Sequence, residues 1–106
     1  AFGFSLWFSV PETGAPVRHA RLRFGDAVVM LGTTRADDGM ATPRTLGAAT
    51  QALVVEVEDV DLHYARAIAA GAEVVASPAD TDFGMREYHA RDLEGHPWIF
   101  TAPLRR

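Results

Sequence analysis

The sequence predicts an α+β fold built from two related half-units, and an internal repeat supports this. The tripeptide His-Ala-Arg begins at His19 and again at His89, and a glycine follows each copy at the same spacing, Gly25 and Gly95. The order of predicted elements agrees, because the second half contains a strand, a helix and three strands, and the first half contains three strands. Two half-units that cannot each bury their apolar face pack together, and a ligand cleft is expected at their seam.

The first half is predicted to be a three-stranded meander. Residues 4–10 and 17–24 alternate large apolar with small or polar side chains, which is the period of a half-buried strand. Between them, residues 11–16 contain two prolines and a glycine, which predicts a loop. Gly25 and Asp26 then form a hairpin turn into a third strand at residues 27–31.

The two halves are predicted to be joined by a linker at residues 33–50. This stretch is rich in Thr, Asp, Gly and Ala and contains Pro43, so it is too polar and too broken for a core element. The second half then begins with a β-branched strand at residues 51–57.

A single helix is predicted after that strand. Asp59 or Asp61 is the expected N-cap, and Gly71 the expected stop. We expect His63 to face solvent. The apolar residues that recur at helical spacing are Leu62, Ala65, Ile68 and Ala69.

Three further strands are predicted to complete the second half. Residues 73–77 form a short strand that Pro78 closes, and residues 85–91 alternate as the next strand. A turn at residues 92–95 leads into the last strand at residues 96–101.

Composition limits the possible functions. The 106 residues are 48% hydrophobic and 23% charged, as expected of a single globular domain over residues 1–106. The net charge of −4 and the lack of a basic cluster predict no nucleic-acid partner. The chain has no cysteine, which excludes disulfides and thiolate ligands, and no apolar run long enough to span a membrane. We therefore expect a cytoplasmic protein with no membrane association.

The segment at residues 84–98 resembles the C-terminal signature of the vicinal oxygen chelate superfamily, the glyoxalase and bleomycin-resistance proteins. In that family a turn of the type Asp-Pro-Glu/Asp-Gly precedes an aromatic-containing strand. The resemblance extends over essentially the whole chain, since residues 1–4 match the end of the family's first helix and residues 26–31 the strand before its linker. It implies paired βαβββ units forming a cupped mixed sheet, with the first strand and most of the first helix absent here.

The missing segment predicts that something else covers one face of the first meander. A face that lacks its helix would expose several hundred Å² of apolar surface, which is enough to drive association. We expect an omitted N-terminal segment or a homodimer, possibly with swapped half-units, to cover it. The side chains expected on this face are Leu6, Phe8, Leu22 and Phe24.

The resemblance also implies where a metal would bind. Enzymes of this family hold a divalent cation with His and Glu side chains on the first and last strands of each unit. The first ligand position falls in the missing strand, and the others fall at Met30, Ala52 and Ile99. If the register is shifted by one residue, the only ligand atom available to a metal is the side-chain oxygen of Gln51, which is a weak ligand. The positions that the shift tests are Val29 or Leu31, Gln51 or Leu53, and Trp98 or Phe100. We therefore expect no metal and no other cofactor.

Strand parity predicts which side chains line the cavity. If Met30, Ala52 and Ile99 face it, as the resemblance implies, then Val28, Val54 and Glu56 share that side. The alternate residues then form a helix-covered core. Those expected in the core are Leu22, Phe24, Tyr88 and Ala90. The candidate ligand-binding residues are Trp7, His19, Arg21, Met30, Glu56, Glu87 and His89.

Each candidate has an ordinary structural alternative. Trp7 could be core packing, Arg21 and Glu87 a cross-strand ion pair, and His19 and His89 part of a solvated face. Asp92, Glu94 and Gly95 are most simply turn formers.

Three functions follow from these residues. The first is a metal-free protein that sequesters a small aromatic or drug-like molecule. The second is a glyoxalase-like or dioxygenase-like enzyme whose divalent metal is held by the absent strand together with His19, His89 or Glu56, with Glu56 or Glu87 as general base. The third is a metal-free enzyme that uses Glu87 or His89 as a base.

Overall fold

The computed structural model describes residues 1–10, 19–33 and 39–104. The chain divides into two compact units. The N-terminal unit is Gly3–Ala41, and the C-terminal unit is Thr42–Arg106 together with Ala1–Phe2. The predicted loop at residues 11–16, the start of the second predicted strand and residues 34–38 of the predicted linker lie outside the described residues.

The N-terminal unit contains the predicted meander. Strands β1 (Ser5–Val10), β2 (His19–Phe24) and β3 (Ala27–Gly32) form an antiparallel sheet in the order β1-β2-β3. Gly25 occupies the β2–β3 turn with φ of 57°, a conformation that glycine adopts without steric cost.

A β-bulge in β1 changes the expected facing of its side chains. Leu6 pairs with Leu22, but Phe8 pairs with Arg21, so Trp7 is the extra residue. The prediction that Phe8 shares a face with Leu6 and Leu22 was therefore wrong. Phe8 lies instead beside Arg21.

The C-terminal unit has the predicted order of strand, helix and three strands, which confirms a mixed α+β fold. The elements are α1 (Pro43–Leu46), β4 (Leu53–Glu56), α2 (Val60–Ala69), β5 (Glu73–Asp80), β6 (Met85–Arg91) and β7 (Pro97–Pro103). The sheet has the order β4-β7-β6-β5, in which β4 runs parallel to β7 and the other neighbours are antiparallel.

The core of this unit lies between α2 and one face of the sheet. Tyr88 and Phe100 are fully buried, and their rings lie 5.2 Å apart. Trp98 stacks on Phe100 with centroids 5.9 Å apart, and Ala90 is buried beside them. The core placement predicted for Tyr88 and Ala90 is confirmed.

Helix α2 begins at the predicted N-cap but buries a different face. Asp59 accepts a hydrogen bond from the backbone N–H of Leu62 at 3.0 Å. Leu62 and Ile68, in the apolar stripe that the sequence suggests, are about half exposed. The inward face carries Val60, His63, Tyr64 and Ala67, spaced at i, i+3, i+4 and i+7.

His63 is the main departure from expectation, because it faces the core and not solvent. The Phe2 carbonyl lies 2.8 Å from Nε2, so Nε2 carries the proton and donates to it. In the neutral ring Nδ1 then accepts from the Tyr88 hydroxyl at 2.6 Å. The ring also packs on Phe100 with centroids 4.3 Å apart. Burial lowers the pKa of His63 and raises that of Tyr88 to about 12.

The end of β5 and the predicted linker also differ from prediction. Strand β5 continues through Pro78 to Asp80, because β5 is an edge strand whose register shifts between Ala76 and Ala79 and can omit a ladder hydrogen bond there. The predicted linker contains the one-turn helix α1, which buries none of its residues. Thr42 caps α1 by accepting from the Thr45 N–H at 3.1 Å.

The turn at residues 92–95 is formed as predicted and is held by Asp92. The Asp92 carboxylate accepts from the backbone N–H groups of Glu94 and His96 and from the Trp98 indole N–H, all within 3.1 Å. The Arg44 backbone N–H donates to the Glu94 carbonyl at 2.9 Å and fastens α1 to the turn. Within the described residues, no helix is both long and apolar enough to cross a bilayer.

Candidate functional site

Strand β2 gives the N-terminal sheet one basic face. His19, Arg21 and Arg23 alternate with Ala20, which is buried on the other side. Met30 is the cross-strand partner of Arg21. The structure thus places His19, Arg21 and Met30 on one face, as predicted, and adds Arg23.

The guanidinium of Arg21 lies beside two adjacent aromatic rings. Its central carbon is 5.7 Å from the ring centroid of Trp7 and 5.3 Å from that of Phe8. Both distances are within cation–π range. The Nε atom is buried, and within the described residues it has no hydrogen-bond partner. The β1 bulge brings both rings to this side of the strand.

Trp7 is not a core residue. It is 45% exposed, and the guanidinium of Arg23 stacks over its ring at 4.0 Å. Met30 is 61% exposed. His19 contacts the ring of Phe8 at 5.9 Å. These side chains form a surface of aromatic, cationic and flexible apolar groups, which we call the basic aromatic face, defined by Trp7, Phe8, His19, Arg21, Arg23 and Met30.

The remaining candidates lie on the C-terminal sheet, on the face opposite its core. The His89 Nε2–H donates to Glu87 Oε1 at 3.0 Å. Glu87 and Glu56 both pair with Thr101 from the two neighbouring strands, which places their backbones about 10 Å apart. Arg21 and Glu87 belong to different sheets, so the cross-strand ion pair suggested for them is wrong.

Glu56 also borders an open depression of about 490 Å³ in the C-terminal unit. The depression lies where β4 and β7 end. Its lining residues are Glu56, Val57, Glu58, Ala102, Pro103 and Leu104.

The residues at the family's metal-ligand positions do not suit a metal ion. Met30 offers a thioether next to the positive charge of Arg21, and Ile99 offers hydrocarbon next to His89. Ala52 lies one residue before β4. Over residues 1–10, 19–33 and 39–104, no group of three or more His, Asp or Glu side chains is arranged to hold a metal. Whether the protein is free of metal stays a prediction.

Sequence reasoning identified most of the residues on these two faces but missed two. Arg23 follows the same period of two as Arg21, so parity alone could have added it. Phe8 could not have been found this way, because its position depends on the bulge. Ligand binding by the candidate residues stays a prediction.

Comparison with known proteins gives one consistent result. Residues 1–100 match the family model described as the Glyoxalase/Bleomycin resistance protein/Dioxygenase superfamily. Among solved structures, TioX from Micromonospora sp. ML1 is 38% identical, with a TM-score of 0.73 over 99% of this chain and 81% of that chain. A glyoxalase/bleomycin resistance protein/dioxygenase family enzyme from Burkholderia phytofirmans PsJN is 22% identical, with a TM-score of 0.65 over 97% of this chain and 82% of that chain, which shows the fold alone.

Two mycobacterial proteins are also similar. Uncharacterized protein Mb0911c of Mycobacterium bovis and uncharacterized protein Rv0887c of Mycobacterium tuberculosis are each 33% identical over 99 residues, which is 91% of this chain. The chain spans 65% of the length of the first and 58% of the second.

Proposed function

Because the chain belongs to the Glyoxalase/Bleomycin resistance protein/Dioxygenase superfamily, we propose that it is a small-molecule-binding member that works without a metal. Its ligand is a small aromatic or drug-like molecule, and its role is to sequester that molecule. The binding surface is the basic aromatic face.

The observation that carries this proposal is the pairing of Met30 with Arg21. Directly opposed side chains in an antiparallel sheet lie about 5 Å apart at Cβ. A divalent cation held at position 30 would therefore lie close to a guanidinium, and the two like charges would repel. A thioether beside a guanidinium suits an organic ligand better, since it adapts its shape to apolar groups.

The composition of the face supports an aromatic ligand. Small-molecule sites combine apolar and aromatic walls with a few polar groups that fix orientation. The half-exposed ring of Trp7 offers a stacking surface, and Met30 an adaptable wall. Arg21, which packs beside Trp7 and Phe8, provides a donor.

The test combines metal analysis with ligand protection. We expect elemental analysis of native protein to find far less than one divalent ion per chain. A small aromatic compound at about a hundred times its Kd should stabilise the protein by about 2.7 kcal/mol and raise the Tm by several degrees. This protection should survive treatment with a chelator and should fall to about half or less in Trp7→Ala. One tightly held divalent ion per chain, lost in His89→Ala, would instead support the metal-dependent enzyme.

A further inference from the structure

The charge of the N-terminal sheet is opposite to that of the chain as a whole. The chain carries a net charge of −4. Strands β1, β2 and β3 nevertheless contain no acidic residue, while β2 contributes His19, Arg21 and Arg23 to one face. That face therefore has a locally positive potential, which attracts anions.

The arginines of this sheet also differ from three arginines of the other unit, which form ion pairs. In the C-terminal unit, Arg44 and Arg91 both pair with Glu73, at 3.3 and 3.2 Å, and Arg86 pairs with Asp61 at 3.0 Å. Within the described part of the chain, neither Arg21 nor Arg23 has a carboxylate partner. Arg21 in addition buries its Nε without an acceptor. A buried N–H without an acceptor is costly, so an acceptor supplied by a ligand would favour binding at Arg21.

The surroundings of Arg21 specify the shape of that acceptor. The rings of Trp7 and Phe8 pack beside the guanidinium and limit the orientations of its planar fork before any ligand arrives. A carboxylate matches this fork with two parallel hydrogen bonds. The neighbouring exposed surface of Trp7 then suits a planar ring attached to the carboxylate.

We propose that the ligand of the basic aromatic face is a planar aromatic acid, whose carboxylate binds Arg21 and whose ring packs against Trp7 and Met30. This inference rests on the proposed function and adds the chemical class of the ligand. It predicts selection by charge, because a neutral or cationic analogue with the same ring leaves Arg21 unpaired.

Three naphthalene probes test the proposal: naphthoate, naphthamide and naphthylmethylamine. They share one ring system and differ in the charge of the substituent. We expect calorimetric titration at low salt to show naphthoate binding about tenfold to a hundredfold more tightly than naphthamide, the range of a hydrogen bond to a charged group. The amine should bind most weakly, and the preference for the acid should decrease as salt is added.

Matched variants assign the preference to one side chain. In Arg21→Gln the three probes should bind about equally. Arg66→Gln removes the same charge from an exposed position on α2. It should leave the preference for naphthoate unchanged. If Arg21→Gln fails to fold, Arg21→Lys keeps the charge but loses the two-pronged geometry, and the preference should fall without vanishing.

The outcomes separate this inference from the proposed function. Equal binding of acid and amide by the native protein, or tighter binding of the amine, overturns the aromatic acid and leaves a metal-free binding protein standing. A preference for the acid that is unchanged in Arg21→Gln overturns the role of Arg21. If none of the three probes binds, the aromatic acid is overturned, and elemental analysis with ligand protection decides the proposed function separately.

Discussion

The two sheets of this protein use their aromatic residues in opposite ways. In the C-terminal sheet, Tyr88, Trp98 and Phe100 are buried against α2 and hold a core together. In the N-terminal sheet, Trp7 is half exposed and stacks with arginine. Under the proposed function, the two sheets therefore have different roles. The C-terminal sheet buries its aromatic rings in a core, and the N-terminal sheet exposes the aromatic and cationic side chains that we propose bind the ligand.

The largest expected effect is the loss of a core ring. Phe100→Ala removes a fully buried side chain that contacts Tyr88, Trp98 and His63, and should lower the free energy of unfolding by about 3–5 kcal/mol. Met30→Ala removes a mostly exposed side chain from the other sheet and should cost less than about 1 kcal/mol. Denaturant unfolding of both variants measures the difference. Equal losses of unfolding free energy in the two variants would contradict the view that the C-terminal sheet contributes more to stability than this face of the N-terminal sheet.

The second largest expected loss of stability comes from replacing the half-buried His63. His63→Ala removes two hydrogen bonds and leaves the Tyr88 hydroxyl in the core without this partner, so we expect a loss of about 2–3 kcal/mol. His96→Ala changes an exposed turn residue and is the matched control, expected to be near neutral. The same denaturant measurement compares the two. A neutral His63→Ala would contradict the assigned network.

His63 should also make stability depend on pH. Burial lowers its pKa in the folded state below the ordinary value of about 6.5, so the unfolded chain binds the proton more readily. The stabilisation is therefore complete above about pH 6.5 and is lost as pH falls from that value towards the lowered folded pKa. Unfolding free energies between about pH 7.5 and about pH 5 should fall more steeply for the native protein than for His63→Ala. Parallel curves would contradict this.

A smaller loss of stability is expected at the two turn glycines, which occupy equivalent places in the internal repeat. Gly25 and Gly95 both have positive φ, 57° and 87°. A Cβ at Gly95 would lie 3.0 Å from the backbone nitrogen of Arg44, whereas a Cβ at Gly25 meets nothing within 4 Å. Gly95→Ala should therefore cost about 2 kcal/mol and Gly25→Ala about 1 kcal/mol. Thermal unfolding checks the order, and a larger loss at Gly25 would show that α1 does not hold the turn.

Trp7 has the smallest expected effect on stability. Its side chain is half exposed, so Trp7→Ala should change the free energy of unfolding by less than about 1 kcal/mol. Binding of an aromatic compound should nevertheless fall at least tenfold, because the stacking surface is lost. Calorimetric titration with denaturant unfolding of the same sample measures both quantities. A large loss of stability with unchanged affinity would make Trp7 a structural residue.

The sequence predicted the strands and turns well because their signals are local. Alternation in β2 and β6, the Asp59 cap and the glycine turns each depend on neighbours along the chain. Helix α1 was missed although Thr42 and Pro43 form a typical start and Gly47 a typical stop, because the polar composition of the segment was given more weight.

The facing of His63 and of Phe8 was predicted wrongly for a different reason, because it depends on tertiary structure. His63 and Tyr64 belong to a second possible stripe on α2, and only packing against the sheet decides which stripe is buried. The bulge at Trp7 depends on pairing with β2 and reverses the facing of Phe8. Strand periodicity cannot reveal either feature.

The two tryptophans test most directly whether the N-terminal sheet binds the ligand, because one tryptophan lies in each sheet. The indole N–H signals of Trp7 and Trp98 can be resolved by NMR and assigned with Trp7→Phe. Titration with naphthoate should shift the Trp7 signal. The Trp98 signal should stay almost unchanged, because Trp98 is buried and its N–H donates to Asp92. A shift confined to Trp98, or equal shifts of both signals, would contradict the assignment of recognition to the N-terminal sheet.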